Sequence, residues 1–212
     1  MELITQLIDV VLHLDLYLGA FLQDYGLWVY ALLFVIIFAE TGFVVTPFLP
    51  GDSLLFVAGT LAASGGFDVQ WLIPLLIAAS FGGDNTNYWI GYHIGPRVFQ
   101  RDDSPLLNRS YLDRTRAFYD RHGGKTILLA RFMPILRTFA PFVAGVGRMP
   151  YFRFLAFSLS GSVLWVGLLV LAGYFFGHLP VVSQNLTLMM ICIIVVSLLP
   201  GAIAWLHHRF AR

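Results

Sequence analysis

A single cysteine, Cys192, occurs in the 212 residues, so no intrachain disulfide can form, and its apolar setting suggests packing, not a metal cluster. Charge is scarce. Asp, Glu, Lys and Arg make up 12% of the chain against 58% hydrophobic residues, and mean hydropathy is +0.77. Those values leave the range of a soluble domain and indicate an integral membrane protein. A net charge of +1 argues against nucleic acid as a partner. No basic residue precedes Arg97, so the N-terminal MELITQLIDVVLHLDLYLGAF has no basic n-region of a secretory signal and is expected to be retained. Uninterrupted apolar runs of about 20 residues, the length of a simple span, are missing from 27–64 and 126–147.

What is present reads as an all-α membrane fold. Residues 1–24 place Leu3, Leu7, Val10, Val11, Leu14 and Leu18 at helical spacing, with Glu2, Asp9 and Asp15 on the other side. An amphipathic helix on the membrane surface is expected, a tilted weak span being the alternative. A first repeat, 25–95, comprises a re-entrant hairpin at 27–64, interrupted by Glu40, Gly42, Pro47, Pro50 and Gly51, and a span at 71–95. A second, 126–177, has a hairpin at 126–147 broken by Pro134 and Pro141 and a span at 152–177. Proline cannot continue a helical ladder, and freed backbone groups survive in a membrane only where protein or water satisfies them. A further span is expected at 186–206, kinked by Pro200.

The halves echo one another. Phe48-Leu49-Pro50 leads to Phe56-Val57-Ala58-Gly59, and Phe139-Ala140-Pro141 runs into Phe142-Val143-Ala144-Gly145. Each span ends on one signature, Gly91-Tyr92-x-x-Gly95 and Gly173-Tyr174-x-x-Gly177. The loop 96–125 carries Arg97, Arg101, Arg109, Arg114, Arg116, Arg121 and Lys125, which predicts that it is cytoplasmic, as is the C-terminus with Arg209 and Arg212. Counting crossings then makes the halves inverted repeats, an architecture that commonly builds a transport site from broken helices at the bilayer midplane.

Four ionisable residues lie in or beside these hairpins: Glu40 and Asp52 in the first, Arg131 and Arg137 in the second. A charge at bilayer centre costs about 2.5–3.5 kcal/mol, so four unpaired ones would cost roughly 10–14. That rivals the whole stability of a domain, about 5–15 kcal/mol. Glu40 stands ten residues before Pro50 and Arg131 ten before Pro141, so if the hairpin tips meet, the acids could face the arginines. The plainer reading is a structural ion-pair network. Buried pairs stabilise poorly beside apolar packing, which favours function. The planar fork of arginine suits a lipid phosphate, and carboxylates can exchange protons.

Asp84, Asn87, Tyr88, Gly91 and Gly95 share one face of the 71–95 span, which must look inward. Asp84 is either part of a polar pathway or a structural hydrogen bond. The glycines Gly91, Gly95, Gly173 and Gly177 have the small-xxx-small spacing of close helix contacts. Ser53, in Pro50-Gly51-Asp52-Ser53, invites a nucleophile reading, but no histidine lies in either hairpin to act as base, and a turn role suits it better. His93 is expected to supply core polarity, not to bind metal. The loop helix 109–122 alternates charges and interleaves Tyr111, Phe118 and Tyr119, suiting a solvated face or docking on anionic head groups. Trp28, Trp71 and Trp205 read as interfacial anchors.

Glu40 with the following FLPGDSLLFVAG, GGDNTNYWIGYHIG at 82–95 and KTILLARFMPILRTFAPFVAG at 125–145 resemble the bacterial DedA family, also called the SNARE-associated or VTT-domain family. The resemblance covers nearly the whole chain. It implies a multi-pass inner-membrane protein, recycling of undecaprenyl phosphate across the bilayer, and dependence on the proton motive force. Glu40 and Asp52 match the family's functional acids, and Arg131 and Arg137 its functional arginines.

The expected function is therefore a non-enzymatic lipid translocase without a cofactor, its partners membrane lipids, a polyprenyl phosphate above all, and protons. Arg131 and Arg137 would bind the lipid phosphate; Glu40, Asp52 and Asp84 would gate or carry protons. Other readings are a proton-coupled transporter of small ions, a lipid-phosphate phosphatase using Ser53, and a non-transporting scaffold. An oligomer is left open.

Overall fold

A computed structural model describes residues 14–43, 51–98, 124–177 and 179, and every regular element among them is helical. The helices are α1 (Leu14–Tyr25), α2 (Trp28–Gly42), α3 (Gly51–Ala63), α4 (Val69–Val98), α5 (Lys125–Ala130), α6 (Pro134–Val146) and α7 (Tyr151–Phe176). Pro47 and Pro50, residues 1–13, the loop helix at 109–122, Cys192 and the span expected at 186–206 lie outside the described residues.

The long helices are inverted relative to those of a soluble protein. On α4, Ser80, Asp84 and Asn87 are buried while Trp71, Trp89 and Ile94 are exposed; on α7, Ser158 and Ser162 are buried while Phe152, Leu159, Leu168 and Phe175 are exposed. A helix in water turns its polar face outward, so this arrangement suits a lipid surround. Among the described residues α7 alone is long and apolar enough to cross a membrane by length and composition. At 30 residues, α4 reaches about 45 Å, at 1.5 Å per residue, but its inward polar side chains dilute its hydropathy. On α1, Leu18 is buried and the outward residues Tyr17, Phe21 and Tyr25 are aromatic.

Sequence punctuation explains the breaks. Asp68 caps α4, its Oδ1 accepting the Gln70 N–H at 2.9 Å, and the Asp68 N–H itself donates to Tyr30 Oη at 2.8 Å. Met133, which precedes Pro134, is extended (φ −117°, ψ 109°), and Pro134 opens α6, where its missing N–H costs nothing. The break at 131–133 thus divides the expected second hairpin into α5 and α6.

The described residues fall into two compact units. The first draws on 14–36, 51–76, 165–177 and 179, the second on 37–43, 77–98 and 124–164. In the first, α3 meets α7 backbone to backbone: a Cβ on Gly59 would strike the carbonyl of Val170, and one on Gly173 the carbonyl of Phe56. In the second, α6 meets α4 by the same device, Gly145 against the Tyr88 carbonyl and Gly91 against that of Phe142. The halves of the sequence therefore exchange partners. Each Phe-Val-Ala-Gly segment clasps the Gly-Tyr-x-x-Gly span of the other half. The neighbouring glycines are tight as well, Gly95 against Val146 and Gly177 against Thr60. The second unit also holds an aromatic core, in which Tyr88 stacks on Phe154 (4.4 Å between centroids) and donates its hydroxyl to the Met149 carbonyl at 2.6 Å.

Candidate functional site

Close backbone approach builds the site. Gly83 of α4 lies under the end of α2, where a Cβ would meet Thr41 and the carbonyl of Phe38, and a Cβ on Gly42 would stand 3.3 Å from the Gly83 Cα. This contact brings Glu40, in the last turn of α2, beside the polar face of α4. Asn87 then cross-links the second unit: its Nδ2 donates to the carbonyls of Thr41 (3.2 Å) and Thr138 (2.6 Å). Those carbonyls belong to the residues immediately following Glu40 and Arg137. A single amide thus sets the spacing of the ion pair.

Glu40 Oε1 accepts from Arg137 Nη2 at 2.5 Å, with the two side chains 0% and 5% exposed. Arg137 sits one turn into α6, and Pro141 lacks the N–H that would bind its carbonyl four residues back, so the helix is disturbed beside the charge. Arg131, at the C-terminus of α5, takes a different partner. Its Nη1 donates to Asp84 Oδ2 and its Nη2 to Ser80 Oγ. Asp84 Oδ2 also accepts the Ser158 hydroxyl at 2.7 Å, and Ser162 Oγ lies 3.5 Å from Ser80 Oγ. Gly161 leaves room for the arginine stem, since a Cβ there would stand 3.0 Å from Arg131 Cδ.

Four of the five expected ionisable residues, Glu40, Asp84, Arg131 and Arg137, thus meet in the second unit as two buried ion pairs. Asp52 belongs to the first unit, where its Oδ1 accepts from the buried Trp165 Nε1 at 2.9 Å. Gly51 and Pro141 are buried in α3 and α6, and the backbone of Pro134 starts α6. Ser53 is fully buried, and among the described residues no base hydrogen-bonds its hydroxyl. His93 is not a core residue: it is exposed, with Nδ1 2.8 Å from the Trp89 carbonyl, because the outward face of α4 carries both.

Sequence reasoning missed Ser80, Ser158, Ser162, Gly161 and Trp165. A signal was available in two of the helices. Ser80 lies four residues before Asp84, and Ser158 and Ser162 are four apart in a greasy span, where polar side chains turn toward protein. The arrangement offers cationic forks that can bind an anion and carboxylates that can take a proton. Among the described residues Asp84 Oδ1 accepts no hydrogen bond, and neither does Asn87 Oδ1.

Helices with apolar exteriors and buried, paired charges define a membrane protein with a polar interior. Residues 49–175 match the VTT domain family model. The chain is 54% identical to Protein DedA of Escherichia coli (strain K12) over 213 residues, covering 100% of this chain and 97% of that protein. An uncharacterized membrane protein of Mycobacterium leprae is 44% identical over 173 residues (82% and 78% covered), and Inner membrane protein YqjA of Escherichia coli (strain K12) 33% over 193 (91% and 87%). The chain belongs to the DedA family of VTT-domain membrane proteins. No solved structure matches it.

Proposed function

We propose that this protein is a membrane lipid translocase that moves undecaprenyl phosphate, or another anionic phospholipid, across the inner membrane with coupling to the proton motive force. The observation that carries this reading is the burial of Arg131 and Arg137, each against a carboxylate from another helix, within helices that expose apolar side chains. Such pairs are poor stabilisers compared with apolar packing, so a ligand is the better reason for them. Arginine forks bind the lipid phosphate bidentately. Arrival of an anion competes with Glu40 and Asp84 for the guanidinium groups, and a displaced carboxylate is free to take a proton. That exchange couples lipid phosphate to protons, and Asp84 Oδ1 offers an open acceptor for the proton. Asp52 is assigned a gating or proton-carrying role in the first unit. In this reading the halves are inverted repeats with re-entrant hairpins, and the loop 96–125 and the C-terminus face the cytoplasm.

The test is translocation of undecaprenyl phosphate in proteoliposomes, with and without a pH gradient. Arg131→Lys and Arg137→Lys keep the charge and lose the fork. Each is expected to cut the rate at least about tenfold, the equivalent of 1.4 kcal/mol in the barrier, and collapse of the gradient should slow the wild type. Wild-type rates in both variants would remove the arginines from the site. Substrate-dependent proton flux without lipid movement would favour the proton-coupled transport of small ions.

A further inference from the structure

The turn after α6 closes with a left-handed residue where glycine is expected. Met149 N–H bonds the Ala144 carbonyl at 3.0 Å and Arg148 N–H that of Gly145 at 2.9 Å, the paired bonds of a Schellman cap. The turn after α3 is built alike, with Gly66 N–H on Leu61 and Gly65 N–H on Ala62, and there the left-handed position is Gly65 at φ 83°. In the second turn it is Arg148, at φ 52°, the one non-glycine residue with positive φ among the described residues, although Gly147 stands next to it. A long side chain in this conformation is strained, and such strain gathers at functional positions.

Among the described residues nothing repays that strain with charge. Arg148 is exposed, and among the described residues no carboxylate pairs with it; its guanidinium carbon lies 5.4 Å from the centre of the Tyr92 ring. The guanidinium beside the ring keeps N–H donors that a planar or tetrahedral oxyanion can engage. Tyr92 belongs to a belt with Trp89 (5.4 Å), which in turn meets Tyr151 (5.3 Å). Trp89 is exposed, and the first turn of α7 adds exposed Phe152 and Arg153. Amphipathic rings of this kind sit at head-group level; the Tyr151 hydroxyl donates to Asn85 Oδ1 at 2.9 Å.

We propose that Arg148, held over Tyr92 and flanked by Trp89, Tyr151 and Arg153, is a seat for the phosphate head group of an anionic membrane lipid. Charge complementarity selects the anion, and the aromatic belt with Phe152 selects a lipid over a soluble phosphate. The seat lies on the exposed surface, unlike Arg131 and Arg137, and its existence does not depend on what those arginines carry.

The test uses the full-length protein, delipidated in mild detergent, with phosphatidylglycerol or phosphatidylcholine added back. The quantity read is the excess rise in melting temperature with phosphatidylglycerol over phosphatidylcholine. Wild type should show an excess. Arg148→Gly and Arg148→Asn, both at home in the left-handed region, should lose at least half of it while melting without lipid no more than about 2 °C below wild type, and Arg148→Lys should keep most of it. An unchanged excess in the Gly and Asn variants would overturn the proposal. A lowered lipid-free melting temperature with that excess intact would assign Arg148 to pinning Tyr92 alone.

Discussion

The two units share their packing and differ in their charge. Phe56–Gly59 against Val170–Gly173 and Phe142–Gly145 against Tyr88–Gly91 are the same clasp, glycine meeting a carbonyl from each side. In the first unit the contact is accompanied by neutral polar groups and a carboxylate held by an indole, Asp52 by Trp165. In the second, two arginines and two carboxylates are buried beside it. Duplicated packing shows what the fold needs twice. The buried Arg–carboxylate pairs of the second unit then read as an addition serving a task other than folding.

The comparison can be broken most sharply at the charges. Arg137→Ala leaves Glu40 buried without its arginine, and removal of one member of a buried pair costs about 3–5 kcal/mol. A large loss of folded protein by size-exclusion chromatography is expected. Gly59→Ala and Gly145→Ala should be nearly equal to each other, about 1–3 kcal/mol, because each drives a Cβ into a backbone carbonyl in the same geometry. Urea or thermal melts in detergent that separate the two widely would end the claim of a shared clasp. Trp165→Phe removes one hydrogen bond to Asp52 and keeps most of the ring. An effect of about 1.5 kcal/mol on stability is expected, with the second unit's ion pairs undisturbed.

Much of this was legible in the sequence, and the rest was not for a physical reason. Pro134 and Pro141 mark breaks because proline lacks a donor wherever it stands, and the glycines announce close approach because no other side chain is so small. Glu40 and Arg131 could be matched as opposite charges at related places, and the acids set against the arginines as a group, though it is Arg137 that Glu40 meets. The partners that Arg131 takes could not be read. Asp84 and Ser80 come to it only through the way α4 lies beside α5, α6 and α7, and local pattern records which face of a helix is polar without recording which distant helix meets it. The exchange of clasp partners between halves was hidden for the same reason: Phe-Val-Ala-Gly fits either Gly-Tyr-x-x-Gly span. At Arg148 no local pattern announces the left-handed backbone, which falls on an arginine one residue after the C-cap Gly147.

The central claim is that the buried ion pairs serve lipid transport and not folding. Glu40→Met with Arg137→Met replaces one pair by apolar side chains of similar length, a change that leaves buried sites neutral or more stable in other proteins. In proteoliposomes the double variant should be inserted, should melt at or above the wild-type temperature, and should carry no undecaprenyl phosphate. Transport by this variant at the wild-type rate would contradict the account.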